Sequence, residues 1–295
     1  MSSPQIIGVG AATLDHFHLV AEFPSQEGVQ PSLRSLRSGG GPVATALCVL
    51  SHLGSAAALL DSQGDDWEGT RIRDELDHFG VETSFVRIRE GALSAHAAVL
   101  VRQRDGARHI VFTPSTAGEL QPADVPESLF KQARLLHLNG RHEATAFRAI
   151  ELAGQNGVTI SFDGGAGRFR GEASLKMLAA SRIRIVARSF ARDCCGCDDV
   201  RSQGDALWDS ETEVLVITDG AAGSYVWEKK GTYFHQPACK AEPLIDTTGC
   251  GDVFHGAFLH GCLQGWPLAR AAAFASEKAA RNAEGLGGRH VLFSR

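Results

Sequence analysis

Short apolar runs alternate with longer amphipathic stretches along this chain, and that alternation limits the possible folds more than any other feature. Parallel strands joined by crossover helices produce this order, with helices on both faces of one sheet. The sequence therefore predicts an α/β fold with a mostly parallel central sheet. The predicted strands include residues 57–60, 135–138, 159–162, 183–186 and 214–218, and the clearest predicted helices are residues 67–79 and 144–156.

The N-terminal part of the chain adds a strand and a glycine-rich entry to a helix. Residues 6–10, Ile-Ile-Gly-Val-Gly, form a short apolar run ended by glycine, which predicts a buried first strand. Residues 38–41, Ser-Gly-Gly-Gly, precede Pro42 and the helix-compatible residues 43–53, and Gly54 follows. Proline at the start and glycine just past the end are typical helix boundaries, so we predict a helix there.

Two segments, about 11–37 and 94–113, interrupt the alternation. Both contain strand-like residues with no helix between them, and Asp105-Gly106 is typical of a hairpin turn. We predict extra antiparallel strands that form a small β-sheet lid over the functional site. Because there is no internal repeat, low-complexity tract or linker, we interpret residues 1–295 as a single domain with this lid.

The charge balance excludes some classes of partner. Lys and Arg total 29, Asp and Glu total 34, and the net charge is -5 without a long block of one sign. Nucleic acid is therefore not an expected partner. No run approaches the roughly 18 apolar residues needed to cross a bilayer, so no membrane partner is expected. The first residues lack the features of a signal peptide, and we expect a cytoplasmic protein.

The seven cysteines are mostly isolated. An odd number in a chain expected in the cytoplasm favours reduced thiols over a disulfide framework. Cys194, Cys195 and Cys197 form a cluster, but a zinc site would need further ligands at suitable spacing. The segment has no neighbouring histidine and offers only aspartates. We therefore predict a cysteine-rich loop and no resident metal site.

Residues 246–252, Asp-Thr-Thr-Gly-Cys-Gly-Asp, carry the strongest functional signal. The two glycines let the backbone turn tightly and present its N–H groups, and a helix predicted over 253–263 adds its positive dipole end. Such a segment can stabilise charge on phosphate oxygens, while Asp252 can accept the proton of an attacking hydroxyl. The simpler alternative is a glycine-rich turn in which Asp252 only favours the helix start.

Two segments carry a family resemblance. Residues 246–258 resemble the C-terminal signature of the ribokinase-like, or phosphofructokinase B, carbohydrate kinases, and residues 39–54 resemble the N-terminal signature of that family. The order of elements is similar over essentially the whole length. The resemblance implies a ribokinase-like three-layer α/β/α fold with a β lid that can form a homodimer. It also implies transfer of phosphate from ATP with Mg2+ to a hydroxyl of a sugar, nucleoside or related alcohol.

The resemblance also implies the roles of residues at the centre of the site. Asp252 is the implied catalytic base. The backbone oxyanion hole is implied to consist of Gly249, Cys250 and Gly251, with cysteine in place of the usual alanine. Because the hole uses backbone N–H groups, a small side chain such as cysteine should be tolerated, although it adds sensitivity to oxidation.

On the acceptor side, Asp15 matches the position whose carboxylate holds substrate hydroxyls, with an ordinary loop acid as the alternative. Arg141 lies where it can bind a sulfonate or carboxylate, as in the sulfofructose kinase branch that two short stretches resemble. However, Val29 and Phe112 stand where that branch would place a lysine and an asparagine. The resemblance also covers Gly39, Gly40 and Gly41. It implies that these glycines let the substrate lie against bare backbone, and the alternative is a flexible entry to the helix.

On the nucleotide side, the family resemblance includes a turn that follows a late strand. The resemblance implies that this turn lines the ATP phosphates and ribose, and the alternative is a tight turn without a ligand. Arg168 is implied to face the phosphates, with a solvated loop cation as the alternative. Thr248 and Asp246 match a monovalent-cation (K+) site of part of the family. The turn residues concerned are Thr218, Gly220 and Gly223.

One family element is missing. Many relatives carry Asn-x-x-Glu after a central strand to organise water around magnesium, and residues 187–190 are Ala-Arg-Ser-Phe here. This absence keeps a non-catalytic sugar or nucleotide sensor open as an alternative, and a nucleoside kinase on the same fold is another. Because Asp252 and both flanking glycines are present, we favour a sugar kinase over these alternatives.

Overall fold

A computed structural model of the protein describes residues 4–293. Within them, the strands are β1 (Ile6–Val9), β2 (Thr13–Val20), β3 (Arg34–Gly40), β4 (Ala57–Gly64), β5 (Val81–Glu82), β6 (Val86–Arg89), β7 (His96–Arg102), β8 (Arg108–Thr113), β9 (Leu135–Leu138), β10 (Thr159–Gly164), β11 (Ile183–Ala187), β12 (Val214–Thr218), β13 (Ser224–Lys229) and β14 (Thr232–Gln236). Every apolar run predicted as a strand lies in one of these.

The α-helices in the same described part of the chain are α1 (Pro42–His52), α2 (Trp67–His78), α3 (Glu143–Asn156), α4 (Glu172–Ala179), α5 (Arg188–Cys195), α6 (Val200–Leu207), α7 (Cys250–Leu263), α8 (Leu268–Ala283) and α9 (His290–Phe293). Short 3-10 turns lie at Pro122–Asp124, Glu127–Lys131 and Gly220–Ala222. Among these helices, none combines the length and apolarity that a membrane span requires.

The central sheet has ten strands in the order β14-β13-β12-β11-β10-β9-β1-β4-β5, and β6 lies beside the second half of β4. The strands from β12 to β6 are parallel, whereas β13 and β14 extend the sheet in antiparallel fashion. The predicted parallel sheet is therefore confirmed. Because parallel strands end at one edge, the segments that follow β1, β4, β9, β10, β11 and β12 meet there.

Burial along β1 shows why the sheet needs helices on both faces. Ile6 packs with α1, α2, α7, α8 and α9, while Ile7 and Val9 pack with α3, α4, α5 and α6 on the opposite face. Apolar side chains pointing both ways are typical of a strand buried between two helical layers. The three-layer α/β/α architecture expected from the family resemblance is confirmed. The predicted cysteine-rich loop is wrong for Cys194 and Cys195, which end α5 and pack against the second of these layers.

A second sheet has four strands in the order β3-β2-β7-β8 and comes from the two predicted lid segments. The outer pairs are antiparallel, as predicted, but β2 and β7 are parallel, with Leu14 opposite His96. Both strands follow a parallel strand of the central sheet, β1 and β6, so they leave its edge in the same direction. The first segment also extends further than predicted, because Gly39 and Gly40 pair with β2.

The lid sheet lies against the glycine-rich segment before α7. Thr247 donates its backbone N–H and its hydroxyl to the carbonyl of Gly106, in the turn between β7 and β8, at 3.3 and 3.0 Å. Arg108 donates to the Thr247 hydroxyl at 2.9 Å. Phe17 and Leu286 belong to the apolar cluster beneath the lid. The lid is therefore attached to the segment with the strongest functional signal.

Candidate active site

The start of α7 has the tight backbone turn that the sequence predicted. Gly249 precedes the helix with φ 72°, in the left-handed region that favours glycine. A Cβ atom there would overlap the carbonyl of Gly288. The helix begins at Cys250, and the backbone N–H groups of its first turn have no partners within the helix. These N–H groups, at the positive end of the helix dipole, suit an anion.

The carboxylate of Asp246 holds this turn through two hydrogen bonds. Its buried carboxylate accepts the Thr248 N–H at 2.8 Å through Oδ1 and the Gly287 N–H at 2.9 Å through Oδ2. Asn282 of α8 donates to the Thr248 carbonyl at 3.0 Å. The hydroxyl oxygen of Thr248 is buried and has no hydrogen-bond partner. The turn is therefore held at several points, with one polar oxygen left for another group.

The thiol of Cys250 lies next to Asp246 and Asn282. Its Sγ lies 4.0 Å from the Asp246 carbonyl and 3.9 Å from Asn282 Nδ2. Burial raises the pKa of this thiol to about 12. Since the thiolate is the reactive form, the oxidation sensitivity expected from a cysteine here is small at neutral pH.

Asp252 occupies the first turn of α7, and its side chain is 23% exposed. Burial raises its pKa to about 6, and Arg168 and Asp163 act in opposite directions, the guanidinium lowering the pKa and the carboxylate raising it. A helix N-terminus favours the ionised form of a carboxylate, so burial outweighs that effect here. A carboxylate with a pKa near 6 is both ionised at neutral pH and basic enough to take a proton.

Arg168 lies between two carboxylates. Its Nη1 donates to Asp163 Oδ2 at 2.8 Å, and its Nη2 is 4.0 Å from Asp252 Oδ1. Burial is the largest single effect and would raise the pKa of Asp163, but Arg168, His255 and His137 together outweigh burial and hold that pKa below its usual value. Arg168 is therefore an ion-paired residue of the site, not a solvated loop cation. Asp163, which ends β10, is a site residue that we did not assign from the sequence.

Asp15 lies on the lid strand β2, facing Gly40 of β3. It accepts a hydrogen bond from the Thr13 hydroxyl at 2.8 Å, and a Cβ atom on Gly40 would overlap its carboxylate. Burial raises the pKa of Asp15 to about 6, against the lowering effects of the Thr13 hydrogen bond and the Arg289 charge. Asp15 is thus a partly buried, positioned acid. The alternative of an ordinary loop acid does not fit this geometry.

A buried arginine and a glutamate hold Gly39 and Gly40, the first two of the three glycines before α1. Arg289, 1% exposed, donates to the Gly40 carbonyl at 2.9 Å, to the Thr45 hydroxyl at 3.1 Å and to Glu75 Oε1 at 2.9 Å. Glu75 Oε2 in turn accepts the Gly39 N–H at 2.8 Å. A Cβ atom on Gly39 would overlap both side chains. We call Arg289 and Glu75 the glycine-loop clamp; neither residue was assigned from the sequence.

Because of this clamp, the glycines are not simply a flexible helix entry. Gly41 has φ 89°, and a Cβ atom there would overlap the backbone of Ala11. The space beside each of the three Cα atoms is filled by protein atoms, so glycine is needed for packing within the chain itself. The sequence showed the glycines but not their partners, because Glu75 and Arg289 come from α2 and the C-terminal segment.

Arg141 lines a cavity of about 110 Å3 next to the β1–β2 connection. It is 38% exposed and lies 3.9 Å from Glu119. The cavity floor includes Asp61 and His142, whose Oδ1 and Nε2 are 2.8 Å apart. Asp61 also accepts the Ala12 N–H at 2.9 Å. Arg141 therefore lies near the β1–β2 connection at the sheet edge, beside an acid that partly offsets its charge.

The nucleotide-side residues lie further along the same edge. Thr218 and Gly220 line a cleft of about 400 Å3 together with residues 187–189, where the Asn-x-x-Glu element is missing. Arg188 donates to Asp219 at 2.7 Å across this cleft. The Gly223 carbonyl accepts the Asp219 N–H at 2.8 Å, which closes a tight turn between β12 and β13. The segment is thus a tight turn that also lines a cleft.

The β10 carboxylate of Asp163 and the N-terminus of α7 meet at the edge of a parallel sheet, next to the four-stranded sheet. This arrangement suits a phosphotransferase that acts on a hydroxyl of a small molecule. The chain belongs to the pfkB family of carbohydrate kinases, whose model matches residues 4–292.

Individual relatives agree with this family. The chain is 29% identical to an ATP-dependent ribose-1-phosphate kinase of Halopiger xanaduensis over 92% of this chain and 89% of that protein. It is 26% identical to a fructokinase of Solanum tuberosum over 88% of this chain and 81% of that protein. Ribokinase from Giardia lamblia shares the fold, with a TM-score of 0.84 and 20% identity over 99% of this chain and 96% of that chain.

The glycine-loop clamp should support both stability and acceptor binding. Glu75→Ala leaves the buried Arg289 charge without its partner, so we expect a loss of about 3 kcal/mol in the free energy of unfolding. It also releases the Gly39 N–H, so the KM for the acceptor should rise several-fold more than the KM for ATP. Chemical denaturation and steady-state kinetics measure the two effects.

Asp74→Ala is the matched control for the clamp, because Asp74 neighbours Glu75 on α2 and makes only an exposed pair with Arg71. Exposed pairs contribute little, so this variant should remain within about 0.5 kcal/mol of the parent. Equal effects of the two substitutions on the KM for the acceptor would contradict the role of the clamp.

The pKa of Asp252 predicts the acid side of the pH profile. Only the ionised carboxylate can accept a proton, and with a pKa of about 6 this form is lost as the pH falls through 6. We expect kcat to fall about tenfold per pH unit below that value. Arg168→Gln removes a charge that lowers this pKa, so the acid limb should move to higher pH. Arg170→Gln, a neighbouring exposed arginine, is the control; an unmoved limb in Arg168→Gln would disprove the coupling.

Proposed function

We propose that this protein transfers the γ-phosphoryl group of ATP to a hydroxyl of a sugar or sugar derivative, with Asp252 as the catalytic base. The observation that carries the proposal is the position of Asp252. It lies in the first turn of α7, beside unpaired backbone N–H groups and 4.0 Å from Arg168. A proton acceptor and an anion site are thus adjacent, as in-line phosphoryl transfer requires.

The proposed reaction has one proton transfer and one displacement. Asp252 accepts the proton of the acceptor hydroxyl, whose oxygen forms a bond to the γ-phosphorus as the bond to the β–γ bridging oxygen breaks. ADP leaves with that bridging oxygen. The backbone N–H groups of Gly249, Cys250 and Gly251 stabilise the charge on the transferring group. Arg168 is close enough to Asp252 to add a positive charge on the same side.

On the acceptor side, Asp15 is proposed to hold substrate hydroxyls from the lid strand β2. Its pKa of about 6 leaves it ionised, and therefore an acceptor of hydrogen bonds, at neutral pH. Gly39, Gly40 and Gly41 are proposed to line the same side through their backbone. Arg141 is proposed to bind an anionic substituent of the acceptor, in competition with Glu119.

On the nucleotide side, ATP is proposed to occupy the cleft lined by Thr218 and Gly220, with Gly223 shaping the turn. The name of the 29% identical ATP-dependent ribose-1-phosphate kinase supports ATP as donor. Magnesium is proposed to arrive bound to ATP, as part of the substrate. Residues 187–190 offer no carboxylate or amide for its water shell, and Asp219 is engaged by Arg188.

A monovalent cation such as K+ is proposed near Thr248 and Asp246. The buried, unpartnered hydroxyl oxygen of Thr248 fits such an ion, because a cation would satisfy it. Both Asp246 oxygens accept backbone N–H groups, but each retains a further lone pair. Bound there, the ion would supply positive charge beneath the α7 N-terminus.

The alternative activities are a nucleoside kinase, a sulfofructose-type kinase and a non-catalytic sensor. The family model favours a carbohydrate kinase over the nucleoside kinase and the sensor, and the names of the two relatives favour an ordinary sugar or sugar phosphate over sulfofructose as acceptor. A cytoplasmic location and a homodimer through the lid sheet rest on sequence reasoning and stay predictions.

A substrate panel tests the proposal. We expect ATP-dependent ADP release with at least one sugar, sugar acid or sugar phosphate, and little with nucleosides.

Asp252→Asn should lower kcat by orders of magnitude and leave substrate binding nearly unchanged. Because the folded-state pKa of Asp252 is raised, its ionisation costs stability above about pH 6, and Asp252→Asn should melt no lower than the parent at pH 8. Near-normal turnover in that variant removes Asp252 from its role, and binding without turnover in the parent supports the sensor.

The proposed role of Arg141 is tested by comparing acceptors. Arg141→Ala should weaken an acidic or sulfonated acceptor far more than a neutral one, since only the former loses a charge partner. Glu119→Gln should have the opposite effect, because it removes the acid 3.9 Å from Arg141. Steady-state kinetics on matched charged and neutral acceptors measure both, and equal losses on the two acceptors reject the role.

A further inference from the structure

Two histidines and an aspartate converge behind Asp252. His137 comes from β9, Asp163 from β10 and His255 from α7. One ring nitrogen of each histidine and one carboxylate oxygen lie within 4.8 Å of one another. The three residues are buried, with exposures of 0%, 2% and 5%. We call them the His-Asp-His cluster; the proposed function gives the two histidines no part.

The hydrogen bonds around the cluster leave polar atoms free at its centre. His137 Nδ1 pairs with the Ser161 hydroxyl at 3.2 Å, and its Nε2 has no partner. Arg168 occupies Asp163 Oδ2, which leaves Oδ1 facing His255 Nε2 at 3.8 Å, beyond hydrogen-bond distance. Within residues 4–293, His255 Nδ1 has no partner either, although it is not the ring nitrogen that faces Asp163. Buried polar atoms without partners are costly, so this arrangement calls for a ligand.

A cation satisfies these atoms better than water does. With Nδ1–H of His137 directed at Ser161, Nε2 presents a lone pair, and the carboxylate oxygen presents another. The imidazole of His255 adds a third lone pair. A water molecule has only two hydrogens and can therefore donate to only two of the three lone pairs. A metal ion accepts all three at once. Ser161 and Arg168 then act as the outer hydrogen-bond partners that orient metal ligands in proteins.

We propose that the His-Asp-His cluster binds one Zn2+ ion. Two imidazoles and a carboxylate suit zinc, whereas Mg2+ prefers ligands that are all oxygen. With bonds of about 2.0 Å, zinc holds neighbouring ligands roughly 3.3 Å apart. The 3.8 Å between Asp163 Oδ1 and His255 Nε2 is close to that spacing. The other two separations are no more than 4.8 Å, so the three side chains would have to move closer together around the ion.

This ion would connect β9, β10 and α7 directly behind the catalytic carboxylate. His255 lies three residues after Asp252, on the same face of α7. Asp163 also holds Arg168, the cation nearest Asp252. Zinc would thus fix the start of α7 relative to β10. The proposal rests on the cluster alone and remains testable if the reaction differs from the one proposed above.

Metal binding is measured on the full chain, stripped with chelator and free of nucleotide. The parent for all variants carries serine at Cys194, Cys195 and Cys197, which removes the clustered thiols as competing zinc ligands. With added Zn2+, we expect about one ion per chain by elemental analysis after dialysis and a raised melting temperature. Mg2+ at the same concentration should give neither.

Variants then locate the ion. His137→Gln and His255→Gln should each abolish the zinc-dependent rise in melting temperature. His260→Gln, in the same helix but outside the cluster, should keep it. If the ligand variants fold poorly, Ser161→Ala provides a milder change, because loss of an outer hydrogen-bond partner typically weakens metal affinity 10- to 100-fold.

Spectroscopy on the same serine-substituted parent gives an independent readout. Co2+ in place of zinc should show visible bands of a site with nitrogen and oxygen ligands, without the near-ultraviolet band of a cobalt–thiolate bond. A thiolate band, no stoichiometric metal, or zinc binding unchanged in His137→Gln would each overturn the proposal. Zinc binding at the cluster without any ATP-dependent turnover would support it and count against the proposed function alone.

Discussion

Residues 287–289 hold the two signature segments in place, and the shape of the cleft depends on them. These consecutive residues bind both glycine-rich segments, although the segments are far apart in the sequence. Because Arg289 is buried, its charge needs a partner inside the protein, and Glu75 provides it. A change in this segment would therefore disturb both sides of the site. The partners of residues 287–289 are the carboxylate of Asp246, the backbone of Gly249 and the carbonyl of Gly40.

Burial beneath the lid also sets the electrostatics of the site. Asp15 and Asp252 come from opposite ends of the chain, yet burial raises the pKa of each to about 6. Asp163 differs, because Arg168 is in direct contact with it and holds its pKa down. Arg168 thus helps to keep the pKa of Asp163 low, while burial keeps the pKa of the more distant Asp252 raised. The two carboxylates differ because they lie at different distances from the Arg168 guanidinium.

The fold could be predicted from the sequence largely because its signals are local. Apolar runs marked every parallel strand from β9 to β12, and Pro42 and Gly54 marked α1 to within a residue or two. The parallel pairing of β2 with β7 was not predicted, because it depends on how both strands leave the central sheet. Short strands at the ends of the sheet, β5, β6, β13 and β14, also carried no distinct signal. Register between distant segments is a tertiary property that local patterns do not contain.

The residues of the candidate site were likewise predictable only where their signal is local in the sequence. Residues in continuous motifs, such as Asp252 and Gly249, could be assigned because glycine and aspartate at fixed spacing have a direct physical meaning at a helix start. The clamp and the His-Asp-His cluster could not, because each draws single residues from separate elements. The cysteine cluster is the opposite case. Its members are close in sequence, yet Cys194 and Cys195 pack against a helical layer. Spacing along the chain therefore indicates metal ligands only when the ligands lie on one helix, strand or loop. His137 and His255 lie on different elements, so their spacing gave no signal. The convergence of His137, Asp163 and His255 becomes visible only when the sheet order places β9 beside β10, with α7 against them.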